Sequence, residues 1–312
     1  MTEIVGINIA VLVVTISIIL SGIILGLGRA ISIKRIELFG VEELIQSIIN
    51  AALVGGIFVI IEVAQTISKE MTLSSCSAES MISAVSCSFQ AASGSLNALS
   101  GEIIKLSLLI GNYQSIVLNF NILEIQPLQN LSLVSNLFSA NLIFSNILLI
   151  FLDFNLMLLN FFEQNALFLF LPLGLVLRSF FATRKIGGFL IALSIGLYLF
   201  YPAFIMAFPT PEPELLNATE AIILITNNSN YIVPPIVDMN DNYVIAQKID
   251  QLSQNDFTGD LTIAHSKTSL ALSKTMLSCV FAPLFSFIIT IIFIKGFGDI
   301  LSGPISFSLG VV

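Results

Sequence analysis

The run from Ile186 to Phe208 holds no charged residue and follows directly on the densest basic turn in the chain, Arg178, Arg184 and Lys185. At 1.5 Å rise per residue it covers the ~30 Å hydrocarbon core of a bilayer. Gly187 and Gly188 open the run and Gly196 lies within it, small residues that let a neighbouring helix backbone approach closely in lipid. Pro202 and Pro209 kink the helix near its end and then stop it. A second apolar run, beginning at Leu171, precedes the basic turn, so Leu171 to Pro209 reads as two apolar segments around one cluster of positive charge. The positive-inside rule puts that cluster in the cytoplasm and orients everything else.

Composition agrees. The chain is 56% hydrophobic and 10% charged, with mean hydropathy +0.97. Soluble domains carry about 25% charged residues, so this is an integral membrane protein. The first apolar run, Ile4–Leu27, has only Glu3 before it, no small-residue cleavage site after it, and Arg29 next, which predicts a retained first span. The net charge of −8 is unevenly placed. Acids crowd residues 209–260, a face that should repel polyanions unless a partner or ion covers it.

Taken in order, Ile4–Leu27 crosses inward to a loop with Arg29, Lys34 and Arg35, which leaves the N-terminus outside. Leu44–Thr66 crosses outward, with Glu62 near its outer end. That glutamate either snorkels to the interface or takes part in function. Residues 67–101 form a serine-rich external insert, expected as a short helix or hairpin. It contains Cys76 and Cys87, which either bridge in an oxidising exterior or are two unrelated thiols. Three crossings follow: Ile103–Leu123, Leu133–Asn160, and Ala166–Phe181 as a broken helix, with external turn Glu163–Asn165 between the last two. The rival reading lays 103–123 in the membrane plane, followed by one long tilted crossing. Asp153 is the most deeply placed acid and reads as either functional or a helix-packing acid. Beyond Phe208, Pro-Thr-Pro-Glu-Pro-Glu leaves the membrane, and Ala221–Thr226 and Tyr231–Val237 could pair as short strands. Asn217 and Asn227 sit in glycosylation sequons. The last span is 270–294, closed on the inside by Lys295.

The expected fold is therefore an all-α polytopic membrane protein of about seven transmembrane helices, or six if 103–123 is interfacial, with a small external segment. Its domains are a membrane bundle over 1–208, an external acidic subdomain over 209–264, and the last helix with a cytoplasmic tail over 265–312. There is no phosphate-binding Gly-rich loop with Lys, and His265 is the sole histidine, which argues against ATP hydrolysis, zinc chemistry and a Ser-His-Asp triad. No enzyme, cofactor or metal is expected.

Several stretches carry a family likeness: Leu27-Gly28-Arg29-Ala30, then Glu42-Glu43-Leu44-Ile45-Gln46-Ser47, and above all Leu171-Pro172-Leu173-Gly174 with Leu177-Arg178, Thr183 to Gly188, Leu190-Ile191-Ala192 and Tyr201-Pro202. These resemble the polytopic membrane component of the crenarchaeal DNA-import (Ced) apparatus, itself similar to the inner-membrane channel subunit of conjugation and type IV secretion machines. The resemblance covers about a third of the chain. It implies a plasma-membrane channel or platform subunit working with other membrane subunits, a separate motor ATPase and pilus subunits, with single-stranded or duplex DNA as cargo and a homo-oligomer as one possible state. A solute or ion transporter using Glu62 and Asp153, and a membrane anchor for a surface assembly, are the alternatives. On the first reading Arg29, Lys34, Arg35, Arg178, Arg184 and Lys185 form a basic cytoplasmic face that meets the motor or the strand.

Overall fold

The computed structural model describes residues 2–71, 80–120, 123–178, 183–231 and 242–302. Among these the fold is all-α apart from one small ribbon. Five helices are long and apolar enough to cross a membrane: Asn8–Ala30, Lys34–Ile67, Leu131–Arg178, Arg184–Met206 and Phe257–Leu301. The chain divides into two compact units.

The first unit comprises Met1–Cys87, Leu156–Phe208 and Ala282–Val312. Helices α1 (Thr2–Ala30) and α2 (Lys34–Met71) form an antiparallel hairpin around Ser32, whose φ of 58° turns the chain. Their backbones nearly touch at the turn, because a Cβ on Gly28 would lie 2.6 Å from the Glu37 nitrogen and one on Gly40 would lie 2.8 Å from the Leu25 Cα. Deeper in the hairpin the Ser17 and Ser47 hydroxyls share a hydrogen bond at 2.8 Å, a polar link of the kind that joins helices in lipid. Helices α5 (Leu171–Arg178) and α6 (Arg184–Ile195) pack closely through Gly174 and Gly187. Helices α7 (Tyr201–Met206) and α11 (Ala282–Ser302) complete this unit, with Phe200 stacked on Phe293 at 3.7 Å between ring centres.

The second unit comprises Ser88–Asn155 and Pro209–Phe281. Helix α3 spans Met81–Gln114 and α4 spans Leu131–Asn165. Between them lie β1 (Leu118–Phe120) and β2 (Leu123–Ile125), antiparallel with Leu118 opposite Ile125. Helix α8 (Glu212–Thr226) packs on α10 (Phe257–Met276), with α9 (Asn242–Gln254) between them in sequence. A buried aromatic group holds the unit: Phe257 lies 5.7 Å from Tyr113 and 4.8 Å from Tyr231, and the Tyr113 hydroxyl donates to the Tyr231 carbonyl at 2.7 Å.

Three expectations are corrected. The serine-rich insert and the predicted crossing at 103–123 are not separate elements, because α3 is a single 34-residue helix ending at Gln114. Its buried residues Ile82, Val85, Phe89, Ala92, Leu96, Leu99, Ile103, Leu106, Ile110 and Tyr113 alternate three and four apart. That is a heptad seam, and α3 is not among the five described helices long and apolar enough to cross a membrane. The predicted external turn Glu163–Asn165 is helical, and the predicted break at Leu171-Pro172 is a π turn over Ala166–Phe170 that joins α4 to α5 without interruption. Ala221–Thr226, expected as a strand, is the end of α8. The prolines and acids at the head of α8 start a helix, and Leu215, Ala218, Ile222 and Ile225 bury at helical spacing. The partner segment predicted at 231–237 lies outside the described residues beyond Tyr231.

The π turn recurs. Ala166–Phe170 precedes Pro172, Gly196–Phe200 precedes Pro202, and Leu277–Phe281 precedes Pro283, each proline two residues past its π turn. A proline inside a helix clashes with the carbonyl four residues back and removes one donor. One extra residue widens the turn and relieves both, so the helix continues where a break was expected. The Leu171 amide then bonds the Ala166 carbonyl and the Tyr201 amide bonds the Gly196 carbonyl.

Candidate functional site: the basic end of the first unit

Two turns far apart in sequence meet at one end of the first unit. The α1–α2 turn carries Arg29, Lys34 and Arg35; the α5–α6 turn carries Arg178, Arg184 and Lys185. Arg184 joins them, its Nη2 lying 3.0 Å from Glu43 Oε1 and its Nη1 3.6 Å from Glu42 Oε1 on α2. Arg29 Nε lies 3.1 Å from Glu37 Oε1. Arg184 therefore ties the two turns together, and the electrostatics there differ from a simple count of cations. Arg29 and Arg184 are paired with acids of the first turns of α2. Lys34, Arg35 and Lys185 are exposed and carry no ion pair among the described residues. They are the cations that present charge outward.

Arg178 stands apart. It is 5% exposed, and its Nε and Nη1 are buried without a hydrogen-bond partner in the described structure. Its backbone packs on α6, since a Cβ on Gly187 would lie 2.4 Å from the Arg178 nitrogen, and glycine there permits the approach. The Thr183 hydroxyl donates to the Leu177 carbonyl at 2.7 Å and so closes the end of α5. Glu42 and Glu43, which decide how much of the charge is neutralised, were missed by reasoning from cations alone. Their signal was present in sequence as two adjacent acids two turns past a basic loop.

The other predicted residues do not join this site. Glu62 is exposed on α2, and its carbonyl accepts from Thr66 at 3.0 Å. Asp153 is also exposed and belongs to the second unit. The buried polar residue of that stretch is Asn155, whose Nδ2 donates to the Phe151 and Cys279 carbonyls at 2.8 and 2.9 Å. Asn217 is exposed on α8 and Asn227 is exposed at its end. Cys76 lies outside the described residues, while Cys279 is a buried free thiol.

No family model matches the chain, and no curated protein or solved structure matches it either.

Proposed function

We propose that this chain is a membrane platform or channel subunit of a DNA-transfer machine of the type IV secretion kind, embedded in the plasma membrane with its N-terminus outside. The observation that carries the reading is the convergence of two basic turns at one end of a helical bundle, with Lys34, Arg35 and Lys185 left exposed. Such a face suits a motor ATPase or a phosphate backbone. The resemblance of Leu171–Pro202 and of the α1–α2 segments to the DNA-import membrane component supports the same assignment.

The topology proposed with it has five crossings instead of seven. Residues 156–178, 184–206 and 282–302 each rise about 30–35 Å, the thickness of the hydrocarbon core. With the N-terminus outside, five crossings put both basic turns in the cytoplasm, as the positive-inside rule requires, and Lys295 in the inner half of the last crossing. The second unit, with its acids, is then external. Asp153 falls at the membrane border on this reading, which removes the need for a buried ion.

Reversal of Lys34, Arg35 and Lys185 to Glu, with membrane insertion verified, tests the function. DNA transfer and co-purification of the motor ATPase should both fall severalfold. Retention of both at wild-type levels rejects the reading.

A further inference from the structure

The second unit carries three asparagines in Asn-X-Ser/Thr sequence: Asn130-Leu131-Ser132, Asn217-Ala218-Thr219 and Asn227-Asn228-Ser229. The motif alone is commonplace, and what separates the three is where the fold puts them. An N-linked glycan needs the asparagine amide and the hydroxyl two residues on presented together, on backbone that can leave its native conformation for a transferase. Asn227 caps the C-terminal end of α8, and Ser229 opens the 3-10 turn Ser229–Tyr231. Asn130 closes the turn before α4, and Ser132 lies in the first turn of that helix. All four residues are exposed, and among the described residues none of their side chains makes a hydrogen bond.

Asn217 is placed differently. It lies inside α8, and although its own side chain is exposed, Thr219 is 9% exposed and its hydroxyl donates to the Leu215 carbonyl at 2.8 Å. The cost of opening the backbone points the same way, because helix ends fray at little free energy while helix interiors open only with their packing. Opening residues 227–229 disturbs no buried side chain, and opening the first turn of α4 at the motif disturbs Leu131. Opening α8 around Asn217 takes Leu215, Ala218, Thr219 and Ile222 out of burial together.

We propose that the second unit is N-glycosylated at Asn130 and Asn227 and not at Asn217. The transfer joins the asparagine Nδ2 to the anomeric carbon of the first sugar and breaks that carbon's bond to the phosphate oxygen of a lipid-linked oligosaccharide. The lipid phosphate leaves with the bonding electrons, and one amide proton passes to a base of the transferase. Donor and transferase act on the external side of the membrane, so the inference rests on the external placement of the second unit proposed above, though not on the DNA-transfer role. A glycan on Asn130 puts the turn between α3 and α4 on the same side as Asn227.

The test is glycopeptide mass spectrometry of the full chain isolated from its native membranes, with cleavage after Glu124, Glu214 and Glu220 separating the three asparagines. The peptides holding Asn130 and Asn227 should each carry an oligosaccharide mass, and the Leu215–Glu220 peptide none. Ser132→Ala and Ser229→Ala keep both asparagines and should each remove one glycan, while Thr219→Ala should remove none. Ser253 is exposed on α9 away from all three motifs, and Ser253→Cys in a Cys279→Ser background reads the side of the unit independently. It should react with a membrane-impermeant thiol reagent in intact cells, measured against the Cys279→Ser parent. Labelling there with either Asn130 or Asn227 bare overturns the proposal and leaves the external placement standing. Labelling only after permeabilisation, with no glycan, overturns both. A glycan on Asn217, or one that survives removal of its own hydroxyl in Ser132→Ala or Ser229→Ala, also overturns the proposal.

Discussion

Arg184 Nη2 lies 3.0 Å from Glu43 Oε1, joining the first turn of α6 to α2 across 141 residues of sequence. Glu43 is 7% exposed, whereas Glu42, the second partner, is largely open to the outside. The two contacts should therefore differ in worth. Exposed pairs contribute little, while removing one partner of a buried pair strands the other charge.

Arg184→Ala should lower stability by about 3 kcal/mol, and Glu42→Ala by less than about 1 kcal/mol. Arg184→Ala combined with Glu43→Gln should recover most of the loss, since no bare charge is left behind. Thermal unfolding of the reconstituted protein measures all three. Equal losses for Glu42→Ala and Arg184→Ala would show that burial does not govern the contact.

Tyr231 supplies a pH-dependent prediction in the second unit. Its hydroxyl lies 2.7 Å from both the Asn255 carbonyl and Asp260 Oδ2, with one proton to donate to either. Burial first, and then the bond to Asp260, push the phenol up to about 12. The unfolded chain ionises near the ordinary value of about 10, so above that pH it releases a proton that the folded protein retains. Stability contributed by Tyr231 is thus complete below about pH 10 and is lost as pH rises toward 12. Tyr231→Phe should cost about 1–3 kcal/mol at neutral pH and flatten the alkaline slope. An ultraviolet difference titration of wild type against the variant reads the ionisation directly, and a transition near pH 10 would contradict the assignment.

How much of this was legible in the chain depends on the range of the interaction. Local patterns read well: the charge-free run after Lys185 is helical and long and apolar enough to cross a membrane, the α1–α2 hairpin turns at its basic loop, and the glycines at 174 and 187 mark close helix contact. The prolines at 172 and 202 correctly marked a disturbed helix. Whether a helix breaks or widens there depends on neighbours that hold the carbonyls, and the Ser194 hydroxyl, 2.6 Å from the Ala166 carbonyl at the first π turn, is far away in sequence. The α3 seam was visible in principle, since Ile82 and Val85 start a repeat that continues to Tyr113. Serine and alanine on its other faces hid it by lowering the mean hydropathy. At the candidate site the cations were identifiable, but Glu43 as their partner was not, because only the folded chain brings residues 43 and 184 together.

The Cys76–Cys87 bridge remains a prediction of the sequence and of the external location proposed for this segment. Alkylation without reductant followed by intact-mass measurement should modify Cys279 at most, and reduction should expose two more thiols. A bridge over so short a loop is expected to contribute roughly 2–3 kcal/mol. Three thiols modified in unfolded, unreduced protein would remove it.

The side of the membrane on which Gln129 lies separates the five-crossing account from the seven-crossing one most directly. Gln129 is exposed in the turn before α4, outside the cell if α3 does not cross and inside if it does. A cysteine placed at Gln129 in a background with Cys279→Ser should react with a membrane-impermeant thiol reagent in intact cells, as one at Asn228 should, while one at Lys185 should react only after permeabilisation. Labelling at Gln129 only after permeabilisation, with Asn228 accessible from outside, would contradict the five-crossing topology and the external placement of the second unit.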